Sequence, residues 1–163
     1  MDGKLRNMTS VYLTGEQGIL CLFRVGSRVA DKKYIGSAGG HFEKEELNDA
    51  RACVLREMKE ELGLAESDIN NLKLRYITYR LAKGEIRQNY YFFGSLKEER
   101  ELKSCEGQLQ WISYDGFENL TMPISAKHMI LHYLEKGRFD DVLYAGITEA
   151  EGTRFVPMME FEG

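Results

Sequence analysis

The residues of this 163-residue chain best placed to do chemistry are three glutamates, Glu57, Glu60 and Glu61. Their i, i+3, i+4 spacing sets all three carboxylates on one face of an α-helix, with Cβ atoms about 5 to 6 Å apart. Leu55, Met58 and Leu62 fall on a neighbouring face that can pack against a sheet. Like charges at this spacing repel, and a divalent cation relieves the repulsion. Mg²⁺ prefers oxygen ligands, and once bound it neutralises phosphate oxygens and lowers the pKa of an attacking water. Taken alone, however, the run from Arg56 to Leu62 reads as a solvated helix face, with Arg56 and Glu60 as an i,i+4 ion pair. Gly39-Gly40, upstream of it, reads as a turn, since the Gly-Lys-Ser/Thr ending of a phosphate-binding P-loop is missing.

The elements that must hold these residues follow from pattern and turn signals. Strands are expected over 6–14 and 18–24, joined by a turn at Gly15, and an extended piece over 33–37 leads into the two glycines. The carboxylate helix spans about 49–62, with Asn48 suited to its N-cap and Gly63 to the left-handed position just past its end. Two long strands rich in Tyr, Phe, Ile and Leu, 72–82 and 85–96, flank the tight hairpin signal Lys83-Gly84. A strand over 108–114, a helix over 125–136 and a terminal hairpin over 142–158 complete the chain. The fold class expected is α+β, a mixed sheet with helices packed on it, in one domain spanning 1–163 with a hairpin extension at about 141–159. That hairpin is expected to cover the core or to form part of a homodimer interface. Alternate members of the aromatic run Asn89-Tyr90-Tyr91-Phe92-Phe93, and with them Tyr76, Tyr79 and Trp111, are assigned to core packing and not to base stacking. His128 and His132 are read as ordinary helix residues.

The chain's overall chemistry narrows its partners. A net charge of -4 makes it a poor generic binder of duplex nucleic acid, so a phosphate compound would need local Arg or Lys and a metal to hold it. No apolar run approaches the roughly 20 residues that span a bilayer, and no signal sequence opens the chain, so a cytoplasmic location and no membrane partner are expected. Cys21, Cys53 and Cys105 are odd in number and lack metal-ligand spacing, which argues against a disulfide framework.

Read together, residues 39–64 resemble the Nudix box: a Gly, five residues, a Glu, seven residues, then Arg-Glu-apolar-x-Glu-Glu-x-Gly-apolar. The matching residues are Gly40, Glu46, Arg56, Glu57, Met58, Glu60, Glu61, Gly63 and Leu64, and Gly39 and Glu43 fit the common opening. Seven fixed positions arise by chance about once in 10⁸ alignments. One departure stands out, since nine residues, not seven, separate Glu46 from Arg56. The extra two precede or begin the helix, where a loop can absorb them.

The resemblance implies a Nudix-type α/β/α sandwich and a hydrolase using Mg²⁺ or Mn²⁺. It assigns Glu57, Glu60 and Glu61 as metal ligands, with the general base drawn from them or from an outlying Glu. It also implies that Arg56 pairs with Glu46 or another loop carboxylate, and that Gly39 and Gly40 let backbone approach metal and phosphate. By similarity to MutT-type members, Glu106 in the loop before a late strand is a further metal-binding or basic carboxylate, and Arg24 or Arg28 clamps phosphate oxygens. His41 is read as a loop residue near the site. The substrate implied is a nucleotide-like small molecule, a nucleoside diphosphate linked to another group. A nucleoside triphosphate, oxidised or non-standard forms included, is preferred. An ADP-ribose preference is disfavoured because no Pro lies between Leu64 and Met122. The oxidised-guanine refinement has less support, because no Asn follows Pro123 as it does in enzymes of that kind. Dinucleoside polyphosphates stay open, and so does a Nudix-fold module that binds a nucleotide without cutting it.

Overall fold

A computed structural model describes residues 2–26 and 31–163. Among these, strands β1 (Lys4–Gly15), β2 (Gly18–Arg24), β3 (Lys33–Ile35), β4 (Ala38–His41), β5 (Ile69–Ala82), β6 (Glu85–Leu96), β7 (Gly107–Ile112), β8 (Leu143–Glu149) and β9 (Gly152–Met158) form one mixed sheet. Two α-helices accompany it, α1 (Ala50–Leu62) and α2 (Ile124–Glu135). The main strand order is β3-β2-β1-β6-β5-β8-β9, with β4 added to β1 and β7 to β2. The pairs β1–β6 and β5–β8 are parallel and the rest antiparallel.

Each face of the sheet buries its own core. On one side Val54, Met58, Leu62 and Leu64 from α1 and its exit pack on Val11, Leu13, Leu20 and Phe92. On the other, Met129, Ile130 and Tyr133 of α2 pack on Tyr12, Tyr76, Tyr91 and Phe93. Alternation along β6 sends Tyr91 and Phe93 to one core and Phe92 to the other, so the aromatic run is packing material as expected. This is the α/β/α sandwich with a mixed sheet.

Several local expectations change. The cap of α1 is Asp49, not Asn48: its carboxylate accepts from the Ala52 N–H at 3.0 Å. Gly63 ends the helix at φ 67°, where a residue with a Cβ is strained. The segment after Ile35 carries a second strand, β4, which pairs Gly39 and Gly40 with Ser10 and Thr9. Tyr79 and Trp111, assigned to the core, lie at the surface, 36% and 37% exposed. Tyr79 falls on a part of the sheet that α1 does not reach. No helix among the described residues is long and apolar enough to cross a membrane.

Candidate active site

Arg56 organises the site. Its Nε and Nη2 grip both oxygens of Glu46, at 2.6 and 3.0 Å, while Nη1 donates to Glu57 at 2.8 Å and to Glu60 at 3.1 Å. Nη2 also donates to the His41 carbonyl at 3.1 Å. One guanidinium thus ties α1 to the end of β4 and to the short 3-10 turn Lys44–Glu46 that precedes the helix. The nine residues between Glu46 and Arg56 run through a turn and the first turns of α1, and the pairing of Arg56 with Glu46 is made across them. Glu46 is buried, and the Arg56 hydrogen bonds hold its pKa down at about 2. Its Oε2 also accepts from the Glu43 N–H at 2.9 Å, closing the turn on itself.

The carboxylates on the next part of the helix face are in the opposite electrostatic state. Glu57 is buried, and its pKa is raised by that burial in spite of Arg56. Glu61 is pushed up to about 7, first by burial and then by repulsion from Glu57 and Glu106. Its Oε2 accepts from the Gly39 N–H at 3.1 Å, and this one bond works against the rise. Gly40 faces Glu57 so closely that a Cβ there would overlap the carboxylate. That register explains why glycine stands at this position: β4 must pass directly beside the acidic face of α1.

Glu106 and Arg24 arrive from elsewhere. Arg24 ends β2 opposite Gly107 of β7, and its Nη2 meets Glu106 Oε2 at 2.8 Å. Both side chains are about a third exposed, and both act on the charge of Glu61. The structure therefore brings together Glu57, Glu61, Glu106, Arg24, Gly39 and Gly40, with Arg56 and Glu46 behind them. Glu60 stands at the rim, 56% exposed. Arg28 lies outside the described residues.

His41 contributes its carbonyl, while its ring meets Arg6 Nη2 at 3.1 Å. His132 bonds the Tyr76 hydroxyl and His128 that of Thr153, each at 2.8 Å, which fits ordinary helix residues. One positioning residue escaped sequence reasoning. Buried Ser37 donates to the Leu20 carbonyl at 2.6 Å and accepts from Leu13 N–H at 3.0 Å, fixing the approach of β4 to β1. A lone Ser before two glycines carries no signal of that role.

Among the described residues no three His, Cys, Asp or Glu side chains converge tightly enough to cage a metal, because Arg56 draws Glu57 and Glu60 toward itself. The donor chemistry nonetheless suits a hard divalent cation. The set is all carboxylate, it is anchored on a helix, and at Glu61 it carries repulsion that Arg24 offsets only in part.

The family model of the NUDIX domain matches residues 4–133. The chain belongs to the Nudix family. Its enzyme class is that of the Nudix pyrophosphohydrolases. Solved structures with the same fold include a mutator MutT protein from Bacillus halodurans, 23% identical, covering 92% of this chain and 97% of that one at a TM-score of 0.64. A MutT protein from Methanosarcina mazei Go1 is 16% identical over 86% and 99% of the two chains, TM-score 0.68. A C. elegans Ap4A hydrolase in a binary complex is 12% identical over 84% and 99%, TM-score 0.63. Among curated proteins nothing matches.

Proposed function

We propose that this Nudix chain hydrolyses the diphosphate linkage of a nucleoside diphosphate joined to another group, with a nucleoside triphosphate as the preferred substrate. The observation that carries the reading is the apposition of Glu61, half-buried and raised to about 7, with the Arg24–Glu106 pair and the β4 glycines. Here an unneutralised acidic cluster, a phosphate-binding cation and close-lying backbone share one place. A binding module that only senses nucleotides would not need all of the helix carboxylates, and this chain keeps Glu57, Glu60 and Glu61.

In this reading Glu57, Glu60, Glu61 and Glu106 are the carboxylates that hold Mg²⁺ or Mn²⁺, which when bound supplies charge neutralisation and a more acidic water. Arg56 does not touch substrate. It fixes the helix against β4 and Glu46, so that the carboxylates present one geometry. Gly39 and Gly40 let a phosphate come near the β4 backbone. Arg24 takes a phosphate oxygen in exchange for its Glu106 partner, and Arg28 is the second candidate for that contact. The exchange frees Glu106, which then accepts the proton of the attacking water or completes the metal ligands. Charge-assisted bonds to phosphate are comparable in strength to those to carboxylate, so the trade costs little.

The test is a phosphate-release screen over nucleoside triphosphates, oxidised triphosphates, sugar nucleotides and dinucleoside polyphosphates, with Mg²⁺ or Mn²⁺ and with EDTA. Turnover of a triphosphate that stops in EDTA and returns with metal is expected. Full turnover in excess chelator refutes the metal assignment. Binding of a nucleotide with no turnover of any substrate transfers the reading to the sensing module.

A further inference from the structure

The sheet is longer than the helices that cover it. α1 packs on β4 and β1, whereas α2 packs on β5, β8 and β9 from the opposite side. On β8, Tyr144, Gly146 and Thr148 are buried toward α2, so Leu143, Ala145 and Ile147 point the other way. Strand pairing extends this second row across the sheet. Tyr79 pairs with Ile147, Ala145 with Val156, Leu143 with Met158, and Leu81 with Ile86, which in turn pairs with Leu5. Leu5 is 59% exposed, Leu81 66%, Ile147 65%, Val156 51% and Met158 49%, with Tyr79 at 36%.

We propose that this uncovered face of β5, β8 and β9 is where two copies of the chain pair, face to face, as a two-fold dimer. The six side chains leave on the order of 600 Å² open, the top of the range for the largest apolar patch of a monomer. With the half-buried Ile77, Ile86 and Leu143 between them, the face approaches the roughly 800 Å² per partner of a stable interface. Its strands present Asn7 and Gln88 but no Lys, and its charge is confined to Arg154 and Glu149 at the β8–β9 end, a composition close to that of an interface core. Two such sheet faces stack at about 10 Å with their side chains interleaved.

The occupant is a second copy because the charges complement themselves. Arg154 stands opposite Ile147 and Glu149 lies two residues further along β8 on the same face, both exposed. A two-fold axis beside Ile147 sets Arg154 of each copy against Glu149 of the other. Addition of a foreign strand at the outer edge is hindered, because Pro157 removes an N–H from β9. An anionic membrane is repelled by the net charge of -4.

Sedimentation velocity of the full chain from 1 to 100 µM tests this. A concentration-dependent dimer is expected for the native chain. Ile147→Asp and Leu81→Asp, on different strands, should each weaken it by at least about 30-fold while leaving circular dichroism and turnover unchanged. Arg154→Glu should weaken it and Glu149→Arg in the same chain should restore it. Phe161→Asp, in the exposed tail, should have no effect. A native monomer throughout the range overturns the proposal, and so does a dimer that survives Ile147→Asp and Leu81→Asp together. Flotation of a native monomer with phosphatidylcholine–phosphatidylserine vesicles would assign the face to a membrane instead.

Discussion

Two arginine–carboxylate assemblies stand within one site and are built for different work. Arg56 makes five hydrogen bonds to oxygen, on three carboxylates and one carbonyl, with its closest partner, Glu46, buried. Arg24 makes one contact to Glu106 across an open surface, and the two residues come from elements 82 positions apart. Removing Glu46 or Arg56 from the first assembly strands its partner's charge in a place with little access to water. Removing one partner from the second leaves the other free to hydrate. The first assembly is therefore scaffold and the second is exchangeable. Only the exchangeable pair can trade a protein partner for a substrate phosphate without disturbing the fold.

The comparison breaks hardest at Glu106. Glu106→Gln should lower kcat by about 10³-fold, within the range for losing a general base or a metal ligand, with the melting temperature unchanged. Unchanged kcat would confine the chemistry to the carboxylates of α1. The opposite profile is expected of Glu46→Gln. It should cost about 3 kcal/mol in urea unfolding, because it leaves Arg56 half-buried with its closest partner gone, and lower kcat less than Glu106→Gln does. Equal stability loss in both variants would erase the distinction between scaffold and exchangeable pair.

A smaller effect is expected at Arg24. Arg24→Ala should raise KM by about 10- to 30-fold, the loss of one charge-assisted contact, with stability near native. Because Glu106 is then unlatched at all times, kcat should fall less than KM rises. A variant that loses kcat alone would show that Arg24 positions Glu106 and does not meet substrate.

How much of this was legible in the sequence depends on the range of the interactions. The carboxylate face of α1, its Gly63 stop and the hairpin at Lys83-Gly84 are local, set by spacing within a turn or two. The Arg56–Glu46 pair became legible through the box pattern, even with two residues added between them. The partner of Arg24 was not, since the pairing depends on the register of β2 against β7. Neither was β4, four residues whose strand character comes from pairing with β1 and not from β-forming side chains. Tyr79 shows the same limit from another direction: its alternation is that of a core strand, but whether a helix covers that part of the sheet is a matter of helix length and placement.

The finest test of the comparison is pH, because Glu46 within the Arg56 assembly and Glu61 beside the Arg24–Glu106 pair shift in opposite directions from 4.5. Glu46 titrates at about 2 in the fold, so its ion pair contributes fully above pH 4.5 and is lost as the pH falls through 4.5 toward 2. Glu61 titrates at about 7, so between 4.5 and 7 the folded chain holds a proton that the unfolded chain releases. Its contribution to stability is greatest below 4.5 and disappears as the pH rises through 7. In EDTA, urea unfolding should therefore show maximum stability near pH 5, with a decline on the order of 1 kcal/mol toward pH 8 and a steeper one toward pH 3. Glu61→Gln should flatten the limb above pH 5 and leave the acid limb, whereas Glu46→Gln should do the reverse. Mg²⁺ should also flatten the upper limb, since a bound cation replaces the proton as the partner of Glu61. A native profile in EDTA that rises steadily from pH 5 to 8 would mean that Glu61 is ionised at little cost, and that the acidic face of α1 is solvated like any other helix surface.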